Sequence, residues 1–169
     1  MSFLQLIEVH DGLNEMFLQH QEMLLRFELD RAASRLNEYE IELKAHMKVE
    51  EELLMPVYRR AGRIEAGPPE FFTGEHGRML SLLGKIQVAI GDLKPGQSDL
   101  PRRIIRIFDE EAVFKSLCEH HEQRERNIFF PALDRVTEED ERRELVARSL
   151  AANPSIRGNF DSLTDTGAK

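Results

Sequence analysis

Two short stretches of the sequence repeat one arrangement of side chains that could bind a metal. In each, a histidine is followed by a glutamate four residues later and by a proline six residues after that: His46, Glu50 and Pro56, then His121, Glu125 and Pro131. Residues four apart lie on the same face of an α-helix, about one turn apart. Each stretch would therefore direct an imidazole and a carboxylate the same way, and these donors suit first-row transition metals. A single copy is also typical of an ordinary amphipathic helix, but a matched pair favours a metal site.

Apolar residues recur at helical spacing through four long segments that turn signals separate. The pattern predicts helices over residues 2–27, 30–61, 69–92 and 100–131, with Asp30 and Asp99 as caps, and a shorter fifth helix over 137–152. Because short loops place long helices antiparallel, the predicted fold is all-α, an up-down-up-down four-helix bundle with a short C-terminal extra helix and a loose tail. The predicted boundaries are residues 1–135 for the bundle, 136–153 for the extra helix and 154–169 for the flexible tail.

Composition narrows the class of protein and its partners. A chain of 169 residues is long enough for one domain with a substantial core. Its formal net charge of −8 disfavours nucleic acid and anionic membranes as partners. No apolar run approaches the length of a membrane span, and the N-terminus lacks the basic segment and cleavage site of a signal peptide. Because Cys118 is the single cysteine, no internal disulfide can form, and we expect a cytoplasmic protein.

A metal site inside a helical bundle requires its ligands to lie at one height along the helices. His10 and His46 each lie 18 residues from a first loop centred near residue 28. His76 and His121 lie 21 and 24 residues from a second loop centred near residue 97, a mismatch of about 5 Å of helix rise. His20 lies only 8 residues from the first loop, roughly 15 Å off level, so His10 is preferred. His20 stays an alternative if the first loop is centred near residue 33.

The predicted ligand set combines four imidazoles and two carboxylates: His10, His46, Glu50, His76, His121 and Glu125. Such a set could hold two metal ions, with two histidines on each ion and both glutamates shared. Six protein ligands leave open coordination positions on a pair of octahedral ions, and an open position can accept O₂, NO, peroxide or water. Without a metal, two carboxylates placed among apolar side chains would be costly to bury.

The full set resembles the hemerythrin-like HHE cation-binding domains, whose pattern is His, HxxxE, His and HxxxE on four successive helices. The resemblance covers about residues 3–134. It implies a non-haem di-iron centre, two Fe ions bridged by the two carboxylates and by an oxo or hydroxo group, although Zn or Mn could occupy the site in purified protein. It also implies a small diatomic ligand or peroxide as the partner molecule. The corresponding functions are sensing, storage, detoxification or iron-centre repair.

The sequence departs from the pattern of oxygen-carrying hemerythrin in two places. That pattern has HxxxH on the third helix, but Phe72 and Leu80 stand four residues to either side of His76. It also has HxxxxD on the fourth helix, but Arg126 stands five residues after His121. Fewer imidazoles and a longer second carboxylate favour redox or sensing chemistry over reversible O₂ carriage.

Two other classes of function stay open. The first is a di-iron peroxidase or oxidase, in which Tyr39 or Cys118 would serve as a proton donor near the open coordination position. The second is a metal-free helical interaction module that presents an acidic surface. We favour a metal-binding or gas-binding protein over a dedicated enzyme.

Several further residues have predicted roles around the site. If His20 is not a ligand, we expect a buried hydrogen-bonded histidine, with Tyr39 as its candidate partner. Cys118 shares a helix face with His121, and a small buried apolar role is favoured over a redox-active thiol. His120 is expected at the surface. Ligating histidines usually donate their second nitrogen to a carboxylate, and the candidates for this role are Glu42, Glu75 and Glu119.

Overall fold

Four long helices form because apolar side chains recur every three or four residues and give each helix one buried face. The computed structural model describes residues 1–154 and residue 156, and within these residues the secondary structure is helical, with no strand. The α-helices are α1 (Ile7–Leu25), α2 (Leu29–Val49), α3 (Met55–Tyr58), α4 (Pro69–Gly91), α5 (Leu100–Arg124), α6 (Phe130–Val136) and α7 (Glu139–Ala151). A 3₁₀ turn, Phe3–Leu6, precedes α1.

The long helices form a closed ring. Helix α1 packs against α2 and α4 packs against α5, while contacts between α2 and α4 and between α1 and α5 complete the bundle. The prediction of an all-α bundle is confirmed. Helix α2 continues through a π-helical turn, Glu50–Leu54, into α3, and α5 continues through a second π-helical turn, Glu125–Phe129, into α6. A 3₁₀ turn, Arg59–Ala61, ends the second segment at Gly62, whose φ of 77° suits glycine.

A polar layer divides the buried core into two apolar clusters. The larger cluster extends toward the two hairpin loops and includes Leu13 of α1. The smaller cluster lies beneath α3, α6 and α7 and includes Leu6 and Phe72. Residues between the two clusters are polar on every long helix; on α1, for example, His10 lies between Leu6 and Leu13. The two clusters therefore shield the polar layer from water at both ends.

The first hairpin turn differs from the predicted one. Helix α2 begins at Leu29 after Glu28, so Asp30 lies within its first turn and is not the cap. The end of α1 is closed by the main chain instead, because the N–H of Glu28 donates to the Met23 carbonyl at 3.0 Å. Phe27 completes this turn in the left-handed conformation, with a φ of 59°. A backbone motif thus replaces the predicted side-chain cap.

The structure also bears on the predictions for Asp99, the C-terminal helix and the tail. Asp99 directly precedes α5 as predicted, although its side chain makes no capping hydrogen bond with the described residues. Helix α7 packs on the smaller apolar cluster through Leu145 and Val146. The flexible tail predicted over 154–169 lies outside the described residues, except for residues 154 and 156. No helix in the described part of the chain combines the length and apolar character that crossing a membrane requires.

Candidate metal centre

Both glutamates of the repeated pattern begin a π-helical turn. The carbonyls of Glu50 and Glu125 accept hydrogen bonds from the N–H five residues later instead of four. In each copy the residue that follows this donor is the proline, Pro56 or Pro131, which has no N–H and whose ring would clash with the carbonyl four residues back. The wider turn removes the clash, and such turns are frequent at functional sites. The prolines are the sequence signal for these turns, which the helical periodicity did not predict.

The structure brings all six predicted ligands into one buried layer. None of them is more than 6% exposed: His10, His46, Glu50, His76, His121 and Glu125. Within the described residues their donor atoms form two groups that share both carboxylates. One group contains the histidines of α1 and α2, and the other contains those of α4 and α5. In each group all donor atoms lie within 4.8 Å of one another.

The spacing of the donor atoms matches that around an octahedral ion. In the first group, Nε2 of His10 is 3.0 Å from Nε2 of His46 and 3.0 Å from Oε2 of Glu125. In the second group, the two imidazole Nε2 atoms are 3.1 Å apart, and one of them is 3.2 Å from Oε2 of Glu50. Ligands bound at about 2.1 Å lie about 3 Å apart when adjacent and about 4.2 Å apart when opposite. Each group therefore has the spacing of one coordination sphere.

Three buried carboxylate oxygens of the layer have no hydrogen-bond partner among the described residues. They are both oxygens of Glu50 and Oε2 of Glu125. Each has an imidazole nitrogen 3.0 to 3.2 Å away, but these contacts lack the direction of a hydrogen bond. Leaving buried carboxylate oxygens without a partner is costly, and a cation between the nitrogens and oxygens would satisfy all of them. The residues present therefore fit a bound metal ion.

Two carboxylates outside the layer orient the imidazoles of its second group. Nδ1 of His76 donates to Oε1 of Glu51 at 2.7 Å, and Nδ1 of His121 donates to Oε2 of Glu75 at 2.9 Å. Arg124 donates to the other oxygen of Glu75 at 2.9 Å. A proton held on Nδ1 leaves Nε2 to face the layer, which is the arrangement that metal-binding histidines adopt. Glu75 was among the three predicted candidates for this role, whereas Glu51 was not.

The other two candidates have different surroundings. Glu42 accepts a hydrogen bond from Nδ2 of Asn153 at 2.8 Å. Glu119 is exposed on α5. His120 is exposed, as predicted, and its Nδ1 bonds the Ser116 carbonyl at 2.6 Å. Of the three candidates, Glu75 takes the orienting role because it lies on α4, beside helix α5, which carries His121.

The carboxylates favour the protonated, positively charged form of three imidazoles in the layer. Burial disfavours the charged form of His10 and of His121, yet the surrounding carboxylates, with Glu125 the strongest, together outweigh burial and raise the pKa of both. Burial lowers the pKa of His46 to about 3, because Glu50 offsets it only in part and the neighbouring imidazoles add repulsion. Burial also opposes ionisation of Glu125, but His121 and His10 hold its pKa well below the usual range. The pKa is raised at three imidazoles: His10, His76 and His121.

His20 lies outside the layer, in a second buried polar cluster. Its Nδ1 donates to the Ala32 carbonyl at 2.7 Å, and its Nε2 lies 2.9 Å from Oε1 of Glu111. The second oxygen of Glu111 accepts from Gln21 at 2.8 Å. The prediction of Tyr39 as the partner of His20 is wrong, because Glu111 of α5 occupies that place. Glu111 stands at a heptad position of the buried face of α5, so its spacing marks it as a core residue.

Tyr39 and Cys118 line a small cavity that also touches His10 and His121. Burial raises the pKa of the Cys118 thiol to about 12 and raises the pKa of Tyr39 well above its usual value. Both groups therefore keep their protons at neutral pH. A protonated buried thiol agrees with the apolar role favoured from the sequence.

Comparison with curated proteins and with solved structures finds no significant match. A family model described as hemerythrin HHE cation binding domain matches residues 4–133. The matched range contains the four long helices of the bundle and all six residues of the buried layer. The resemblance noted from the sequence is thereby confirmed, and the chain belongs to the hemerythrin HHE cation-binding domain family.

Proposed function

We propose that the buried layer holds two iron ions and that the chain uses this centre to bind a small molecule such as O₂, NO or peroxide. His10 and His46 would hold one ion and His76 and His121 the other, with both glutamates shared. The observation that carries the proposal is the set of three buried carboxylate oxygens without a hydrogen-bond partner in the described part of the chain, each beside an imidazole nitrogen. A metal-free interaction module would leave these oxygens unsatisfied.

Iron, when bound, supplies open coordination positions and a change of redox state. The chain supplies a place for the small ligand beside the metal, because the small cavity that touches the layer is lined mainly by apolar side chains such as Leu13, Leu43 and Met79. Its volume is about 20 Å³, which is room for about one water-sized molecule. Large substrates are excluded from this position by size.

Helix α4 contributes one candidate ligand to the layer, His76. Phe72, one helical turn before His76, is buried, and its ring centre lies 6.2 Å from that of His121. An aromatic ring thus occupies a position that a fifth imidazole could take. This observation supports the preference for sensing or redox chemistry over reversible O₂ carriage.

Metal analysis tests the proposal directly. The chain is loaded with Fe(II) without oxygen, exposed to air, freed of unbound iron, and measured for metal content and optical absorption. We expect about two irons per chain, the number of coordination groups, and a charge-transfer band. No retained iron, or a single zinc, would refute a di-iron centre.

Two alanine variants test the ligand set. His10→Ala should lose iron, whereas His20→Ala should keep it, because His20 bonds Ala32 and Glu111 instead of the layer. Both replacements remove one buried imidazole from α1, so each is the control for the other. Iron loss in His20→Ala with retention in His10→Ala would reverse the assignment.

A peroxidase is the second candidate function, favoured by the position of Tyr39 and Cys118. Both side chains border the cavity beside His10 and His121, and both are protonated at neutral pH, so each can donate a proton to a bound peroxide. Catalytic consumption of peroxide by the iron-loaded chain in the presence of an added electron donor, at a lower rate in Tyr39→Phe, would support this candidate. Reversible NO binding without peroxide consumption would exclude it.

A further inference from the structure

A surface cavity opens over the site between α1 and α5. It has a volume of about 280 Å³ and is lined by side chains from α1, α2 and α5, among them Leu18, Lys115 and Glu119 near the surface. Its inner residues include Tyr39 and Cys118, which are buried. The cavity thus extends from the exposed faces of α1 and α5 into the core.

The surface cavity adjoins the small cavity beside the metal layer. Four residues line both: Asn14, Tyr39, Cys118 and Glu122. The small cavity then reaches His10, His46 and His121 of the layer. Three other surface cavities, on α4 and α5 or on α1 and α2, include no residue of the layer. The two cavities therefore adjoin at these four residues and together lie between the surface and the site.

A hydrogen-bonded bridge crosses the junction of the two cavities. The Asn14 side-chain amide donates to both oxygens of Glu122, at 3.3 and 3.5 Å, and so links α1 to α5. Both distances are at the long end of the hydrogen-bond range, so the bridge is weak. Asn14 and Glu122 are not among the residues of the layer.

We infer that small ligands reach the metal centre through this pair of cavities, and that the Asn14–Glu122 bridge controls the rate of entry. The inference rests on the proposed function for its ligand, but the route itself is a property of the helix packing. The outer cavity collects a molecule from solvent, and the inner one admits about one molecule of water size. Tyr39 and Cys118 line both cavities, so the molecule passes them on its way to the layer.

The test compares two tryptophan variants of α1. Leu18 lines the outer cavity and is 47% exposed, whereas Leu25 is 64% exposed on the same helix and does not line it. In the iron-loaded, reduced chain, Leu18→Trp should slow NO association about tenfold relative to Leu25→Trp. Dissociation should slow by the same factor, since blocking a route changes both rates and leaves Kd and iron content unchanged.

A second measurement does not depend on iron. Cys118 is the single cysteine and lines both cavities, and iodoacetamide reacts with its thiolate. Because the raised thiol pKa slows the reaction in every variant alike, the ratio of alkylation rates between variants at one alkaline pH reports access along the route. Leu18→Trp should slow alkylation relative to Leu25→Trp, and Asn14→Ala, which removes the bridge, should accelerate both alkylation and NO association. Equal alkylation rates in Leu18→Trp and Leu25→Trp would overturn the route, whatever the iron content. An unchanged alkylation rate in Asn14→Ala would overturn the role of the bridge. A chain that takes up no iron but shows the expected alkylation rates would refute the di-iron centre and retain the route.

Discussion

Glu75→Gln is predicted to weaken iron binding about tenfold, or about 1.4 kcal/mol. Glu75 accepts a hydrogen bond from the Nδ1–H of His121 at 2.9 Å, and the Glu75 side chain is 12% exposed. Glutamine keeps an oxygen that can accept this hydrogen bond, but the substitution removes the negative charge that makes the imidazole a stronger metal ligand. Removing such an outer partner costs about 10-fold to 100-fold in metal affinity, and the retained hydrogen bond places this variant at the lower end.

Glu51→Gln provides an internal comparison. Glu51 bonds the Nδ1 of His76 at 2.7 Å, but its side chain is 43% exposed, so water screens its charge. The expected loss is about threefold or less. Glu70→Gln on the exposed surface of α4 controls for the change of net charge.

Iron affinity is measured for the three variants by anaerobic competition with an Fe(II) chelator. The expected order of loss is Glu75→Gln, then Glu51→Gln, then Glu70→Gln. Equal affinities for Glu75→Gln and Glu70→Gln would refute the orienting role of Glu75. A larger loss in Glu51→Gln than in Glu75→Gln would refute the argument from exposure.

Three further predictions concern stability and protons. Glu111→Ala should lower the free energy of unfolding by about 3 kcal/mol or more, because it leaves buried His20 without its partner, while iron content stays unchanged. Chemical denaturation measures the stability and metal analysis measures the iron content. Iron loss would contradict the separation of the His20–Glu111 cluster from the metal layer. Phe27→Gly should raise the free energy of unfolding by about 1 kcal/mol, since glycine adopts a φ of 59° without strain. An unchanged or lower melting temperature would contradict this prediction. Metal loading should release protons, and apparent affinity should rise with pH, because the raised pKa of three imidazoles in the layer favours their protonated form, from which the metal displaces a proton. An indicator dye in weak buffer detects the release, and no release would contradict the raised pKa values.

Much of the candidate site follows from spacing alone. The interval between His46 and Glu50, repeated at His121 and Glu125, places two donors on one face wherever those segments are helical. Distance from the loops then selects His10 over His20 for the same level, and the structure places His10 in the layer and His20 outside it. Sequence spacing can predict these positions because helix rise and periodicity are local properties.

Other features depend on side chains that meet only after the helices pack. The partner of His20 comes from a residue 91 positions away, Glu111. The orienting role of Glu75 depends on its distance from His121, which lies on the next helix. The predicted cap at Asp30 was wrong because a backbone turn at Phe27 closes α1 by itself. The local sequence pattern does not indicate which of several glutamates will lie near a given imidazole.

The sequence by itself determined the helical bundle, the family and a set of donors able to share one level, since periodicity and residue type are written along the chain. Only the tertiary structure decided which carboxylates orient the imidazoles and which oxygens lack a partner. It also decided where cavities lead from the surface to the layer. These properties depend on distances between different helices, which packing sets to within a few tenths of an ångström and which sequence spacing does not specify.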